Sequence, residues 1–249
     1  MAVPPERPDL AGAERPDPAL GVFETLLVRD GRVQALAAHL RRLSESVSEL
    51  YGAALPAGLA AQLRRRAADL EGEHRLRVDA VPDATGVEIG WLTSPLDHCA
   101  RHPVALAPAL LPGGLGAHKW ADRRWLDRLA AGETVALILD RDGSVLEAAW
   151  ASVWVLEGGP RHGRLLTPPA DGRLLAGVTR ARLLELSSEL GLEAAEEPLS
   201  VERLRAADAA FLTSSLRHAV AARLEDPPPG GARHSEVERI RAALAEGDF

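Results

Sequence analysis

The feature that most limits how this chain can fold is a break in it. Leu111-Pro-Gly-Gly-Leu-Gly116 sets three glycines and a proline within six residues, between long segments patterned for regular structure. Proline has no amide hydrogen to give a ladder and glycine loses the most conformational freedom on ordering, so such a cluster ends helices and strands alike. The chain accordingly divides into an irregular leader 1–20, an N-terminal α/β domain 21–111, a linker 112–117, a C-terminal domain 118–225, and a Pro-rich spacer with a terminal helix over 226–249.

Periodicity fills in these segments. Gly21–Val28 reads as a strand, Arg29-Asp-Gly-Arg32 as a hairpin turn, and Val33–Leu36 as a second short strand. From Ala37 the apolar spacing becomes helical through Leu40, Leu43, Val47 and Leu50 until Gly52, and a further helix is expected over Ala57–Leu70. Strands over Arg75–Ala80, Gly86–Thr93 and Val104–Leu110 complete the N-terminal layer. Beyond the linker the pattern predicts a helix over Trp120–Ala131 and a buried strand over Thr134–Leu139. An antiparallel meander follows (Val145–Ala148, Ser152–Leu156 and Arg164–Thr167), then a helix after Gly177-Val-Thr179, a short helix Val201–Ala206 and a last buried strand Ala209–Thr213. The terminal helix is expected to be capped by Ser235 with Glu238 three residues on.

Composition excludes several classes. The net charge of -7 and a pI near 5.7 do not fit a nucleic-acid footprint, and Arg64-Arg65-Arg66 reads as a solvated helix face. No run approaches the roughly 18 apolar residues of a membrane span, and the leader has no apolar core of a signal peptide. A single cysteine, Cys99, fits a reducing cytoplasm. His98-Cys99-x-x-His102 lacks a spaced second pair of ligands and reads as a surface loop, with no metal expected.

Of 29 Lys plus Arg, one is lysine: Lys119, directly after the linker. A bias toward GC-rich codons can exchange surface lysine for arginine, because either supplies a charge. It cannot do so where a primary amine must form a Schiff base with an aldehyde, since guanidinium stays protonated. Glu147, at the end of a strand, is placed to pair with a ring nitrogen. Gly177-Val178-Thr179 at a helix start offers backbone N–H groups, a hydroxyl and the positive end of a helix dipole to a phosphate. Thr213-Ser214-Ser215 after a buried strand is a second hydroxyl cluster.

Taken in order, Gly21-Val-Phe-Glu-Thr25, His39-Leu-Arg-Arg42-Leu43, His118-Lys119-Trp-Ala-Asp-Arg123, Leu139 to Glu147, Thr167-Pro-Pro169, Gly177-Val-Thr-Arg180 and Ala207 to Ser215 resemble the class IV aminotransferases over residues 20 to 222. The resemblance implies pyridoxal 5′-phosphate (PLP) as cofactor. It also implies the two-domain fold type IV, in which a smaller N-terminal α/β domain stands beside a larger, antiparallel-strand-rich pseudo-barrel with helices. The cofactor is then expected between the domains of a homodimer. By position, Lys119 matches the Schiff-base lysine and Glu147 the partner of the pyridine nitrogen. Arg42, Val178, Thr179 and Thr213 match the phosphate ligands.

Lys119-x-x-x-Arg123 is similar to the 4-amino-4-deoxychorismate lyases, and Thr25 matches a threonine that relays protons in some of them. Their substrate carries two carboxylates, for which Arg123 and Arg217 are the candidate ligands. The implied reaction yields 4-aminobenzoate and pyruvate. The alternatives are an aminotransferase of D- or branched-chain amino acids, and a catalytically impaired PLP-binding module. Two positions depart from the pattern: Ser152 stands where asparagine is usual, and Ala176 where proline commonly precedes the Gly-x-Thr-Arg run. The leader also lacks the strand pair with which relatives begin.

Overall fold

A computed structural model describes residues 15–96, 103–129, 134–158, 163–224 and 234–246. After a single 3-10 turn at Pro18–Leu20 come β1 (Val22–Arg29), β2 (Arg32–Val33), α1 (Leu36–Tyr51), α2 (Leu59–Ala67), β3 (Glu73–Asp83), β4 (Gly86–Pro95) and β5 (Val104–Leu110). They are followed by α3 (Arg124–Leu129), β6 (Val135–Leu139), β7 (Ser144–Ala148), β8 (Ser152–Glu157), β9 (Arg164–Thr167), α4 (Val178–Leu186) and β10 (Glu193–Glu196). The remainder comprises β11 (Leu199–Ser200), α5 (Val201–Ala206), β12 (Ala209–Ser214), β13 (His218–Leu224) and α6 (His234–Glu246).

Two sheets organise these elements. The smaller has the order β2-β1-β3-β4 and is antiparallel throughout. Strand β1 is buried on both faces. One face carries Val22, Leu26 and Val28 into a core with Leu43 and Val47 of α1 and Leu63 of α2; the other carries Phe23, Thr25 and Leu27 toward the second sheet. A period of two puts Glu24 on the apolar side, so a carboxylate enters that core and must find partners there.

The larger sheet runs β10-β9-β8-β12-β13-β5-β6-β7-β11. Strands β7 and β8 are joined by a tight turn with an Ala148–Ala151 bridge, so the six strands from β8 to β7 curl into a partly closed barrel. Its interior is filled by Val153, Val155, Leu212, Val220, Leu106 and Leu137. The alternate residues of β8 and β12 point outward: Trp154 and Phe211 stack at 6.0 Å between ring centroids, under α4 and α6.

Several sequence expectations change here. Strand β5, assigned above to the N-terminal layer, pairs in parallel with β13 and β6 and so lies inside the large sheet. Leu36 begins α1 instead of ending a strand. The helix expected from Trp120 starts at Arg124, because the backbone of the preceding segment is extended and paired with β1. The Phe23 N–H donates to the Lys119 carbonyl at 2.9 Å and the Ala121 N–H to Gly21 at 3.0 Å. Of the expected meander, β8 and β9 do pair antiparallel, whereas β7 pairs with β6 and meets β8 only at the Ala148–Ala151 bridge. β12 is followed by a further strand, β13. Ser235 lies within α6, not at its cap. Most of the leader, the His98-Cys99-x-x-His102 segment and the Pro-rich spacer lie outside the described residues.

Candidate active site

A cavity of about 420 Å³ opens between the sheets. Every residue singled out from the sequence lines it: Thr25, Arg42, Lys119, Arg123, Glu147, Val178, Thr179, Thr213 and Arg217. The linker helps shape it. Gly114 has φ +64° and a side chain there would stand 2.0 Å from the Arg173 carbonyl, so only glycine lets the chain pass.

The reactive side is built from Lys119 and Glu147. Pairing of the Lys119 segment with β1 fixes the amine 4.9 Å from the centre of the Phe23 ring. Burial, followed by the nearby Arg42, lowers its pKa from 10.5 to about 8. Glu147 ends β7 at 6% exposure. Burial raises it to about 8 against the pull of the Leu175 N–H, and Oε1 has no hydrogen-bond partner among the described residues. An unpartnered buried carboxyl oxygen costs free energy unless a donor arrives. A protonated pyridine nitrogen is such a donor, and in this respect the residues present fit PLP.

Another part of the cavity lining is formed by Arg42 of α1, the N-terminus of α4 and the loop after β12. Gly177 caps α4, and a Cβ there would meet Ser152 Oγ at 2.6 Å, so glycine leaves the helix start open to the cavity. Arg42 is less free than its sequence role implies. Nε and Nη2 each donate to Glu24 at 2.7 Å and Nη1 donates to the Ala176 carbonyl at 2.8 Å, leaving one hydrogen on each terminal nitrogen for an anion. Thr213 is turned inward as well, since its Oγ1 accepts the Trp154 indole N–H at 2.9 Å. Ser214 and Ser215, which the sequence reading quoted without assigning, present the other hydroxyls of that lip.

The opposite wall is cationic. Arg123 turns inward, its Nη2 donating to Ala149 O at 2.7 Å, whereas the adjacent Arg124 turns out to bind Asp122. Arg217 lies 4.6 Å above the Trp150 ring. Arg75 and Arg77 were missed in the sequence, although the alternation Arg75-x-Arg77-x-Asp79 signalled one shared face of a strand. Arg77 stacks 3.9 Å over Phe23 and is held by Asp79, while Arg75 Nε has no partner. Also missed was the buried pair His39 and Arg42 on Glu24, which their three-residue spacing on α1 makes possible. Among the described residues no cluster of three or more His, Cys, Asp or Glu is arranged to hold a metal ion. Nor is any described helix long and apolar enough to cross a membrane.

Comparison with known proteins agrees with this geometry. The family model for amino-transferase class IV matches residues 117–224. A putative branched-chain-amino-acid aminotransferase of Methanocaldococcus jannaschii is 35% identical over 85 residues, which is 34% of this chain and 28% of that protein; the match thus spans under a third of that relative. A hypothetical aminotransferase from Mycobacterium tuberculosis in its PLP-bound form superposes with a TM-score of 0.79 at 24% identity, over 99% of this chain and 96% of the other. A putative 4-amino-4-deoxychorismate lyase from Legionella pneumophila gives 0.76 at 21% identity over 92% and 91%. These two structural likenesses establish the fold alone. The fold, the ordered motifs and the family match agree: residues 117–224 match the amino-transferase class IV model, and the fold is that of solved aminotransferase structures, one of them PLP-bound.

Proposed function

We propose that the protein is a lyase that converts 4-amino-4-deoxychorismate to 4-aminobenzoate and pyruvate. The observation that carries this reading is the charge of the cavity wall. Among the described residues, seven cationic side chains line it against two acidic ones, and of the neighbours Arg123 and Arg124 only Arg123 faces inward beside Lys119. Such a wall suits a substrate with two carboxylates, for which Arg123 and Arg217 supply charge-assisted donors.

PLP, once bound, supplies an electron sink for the carbon that loses its proton. The residues do the rest. Lys119 would hold the cofactor covalently and, once released as a free amine whose pKa is lowered to about 8, would take the proton from the substrate carbon bearing nitrogen. Glu147 fixes the pyridine nitrogen. Arg42, Val178, Thr179 and the hydroxyls after β12 hold the phosphate. Thr25, opposite Arg77 on β3, is the candidate to return a proton to the departing three-carbon unit. Pyruvate release from aminodeoxychorismate without any added oxoacid is the expected result; turnover only with an amino donor and an oxoacid acceptor refutes the lyase. That second outcome defines the alternative, an aminotransferase, which the names of the curated relatives favour.

A homodimer in the cytoplasm completes the reading. Among the described residues, edge strand β4 pairs only with β3, and it exposes Trp91 at 41% and Leu92 at 58%, as an interface strand would. Leu92→Glu is expected to shift the sedimentation coefficient from dimer to monomer.

A further inference from the structure

Outside the residues already given roles, one buried chain of hydrogen bonds reaches the cavity. Glu24 accepts from Arg42 Nε and Nη2 and lies 2.7 Å from His39 Nδ1, while the far ring nitrogen, Nε2, lies 3.1 Å from Ser215 Oγ. His39 and Glu24 are each 1% exposed. Burial works against ionisation of Glu24, but Arg42 and His39 outweigh it and hold its pKa at about 2. The carboxylate is therefore charged and can only accept, so Nδ1 carries a hydrogen.

The consequence falls on Ser215. With the ring neutral, Nε2 is a bare acceptor and the single hydroxyl hydrogen of Ser215 must point at it. Ser215 then turns only lone pairs to the cavity, beside the α4 N-terminus and Arg42, where an anion is to be held. With the ring protonated, Nε2 donates to Ser215 Oγ and the hydroxyl hydrogen is released to the anion. We infer that His39 is a positioning residue that sets whether Ser215 accepts or donates at the phosphate site, so that phosphate capture and protonation of His39 favour one another.

The charged groups facing His39 are Glu24 from β1, Arg42 from its own helix and Lys119 from the segment paired with β1. Burial first, then Arg42 and Lys119, lower its pKa against the pull of Glu24, so the ring starts neutral. A dianion at Ser215 opposes that and draws a proton in.

This inference rests on the reading that the PLP phosphate lies at Ser215, and its test separates the two. Dissociation constants of PLP and of pyridoxal, which lacks the phosphate, are measured by absorbance between pH 6 and 8 for the wild type, Ser215→Ala and His39→Gln. The ratio of the two constants isolates the phosphate, because the chemistry at Lys119 is common to both aldehydes. The ionisation of the phosphate itself is common to all three proteins. The wild-type advantage over Ser215→Ala is expected to fall as pH rises, by up to about tenfold per pH unit for one coupled proton. His39→Gln puts a permanent donor near the Nε2 position and is expected to flatten that fall. Equal pH slopes in the wild type and Ser215→Ala overturn the inference even if the glutamine variant does not fold. Protein that binds PLP no better than pyridoxal at any pH overturns the phosphate-site reading, and the inference with it.

Discussion

Two buried glutamates, Glu24 and Glu147, show opposite uses of burial. Glu24, between β1 and α1, meets an arginine and a histidine and is held at about 2; Glu147, at the end of β7, meets one backbone N–H and is pushed to about 8. Both are almost wholly removed from water, at 1% and 6% exposure. Desolvation alone therefore decides neither. The number of donors does, and the site with the unpartnered oxygen is the one left to receive a ligand. A satisfied carboxylate stiffens the scaffold; an unsatisfied one is, in the proposed reading, the cofactor's partner.

The sharpest way to probe this contrast is Lys119, which feels both carboxylates. Lys119→Arg keeps the charge but not the transferable amine, and turnover is expected to fall by about 10⁴-fold or more, with no adduct at residue 119 after borohydride. A charge-only role would leave most of the rate. Next, Glu24→Gln leaves Arg42 short of its counter-charge and is expected to cost roughly 3–5 kcal/mol in urea unfolding. Glu147→Gln is expected to lower kcat by about 10²- to 10³-fold while leaving the stability of the cofactor-free protein unchanged or higher. If the two substitutions destabilise equally, the comparison breaks.

Smaller still, Arg123→Gln is expected to raise KM for a dicarboxylate substrate by about 10- to 100-fold, the worth of one charge-assisted bond. The mildest test is a slope. The folded pKa of Glu147 is raised above its unfolded value, so the protein binds the extra proton when folded. Its contribution to stability is full below pH 4.5 and is lost as pH rises toward about 8, by at most about 1.4 kcal/mol per unit. Thermal unfolding of cofactor-free wild type and Glu147→Gln across that window should converge at the acid end and separate at the basic end.

Much of the site was legible. The motif residues from Thr25 to Arg217 are scattered over most of the chain, yet all reach one cavity; most stand at the end of a strand, the start of a helix or beside the linker, while Thr25 and Arg42 lie within β1 and α1, and in each case a local pattern fixes the element. Pairing between distant strands was not legible. Apolar alternation in Val104–Leu110 is the same whether the strand joins the small sheet or lies between β13 and β6, so its place went wrong. The extended backbone at Lys119 was hidden for a related reason: its hydrogen bonds go to Gly21 and Phe23, about a hundred residues away. Arg42 and Thr213 were found as cavity residues, but their prior commitments to Glu24 and Trp154 were not.

By itself the sequence determined the chemistry on offer: one amine, a glycine-opened helix start, hydroxyls after a buried strand and an excess of guanidinium groups. Those depend on residue type and on neighbours a few positions away. Only the tertiary structure decided which of these groups remain available to a ligand. That outcome depends on which donors and acceptors meet across the core, and burial makes every unmet one expensive.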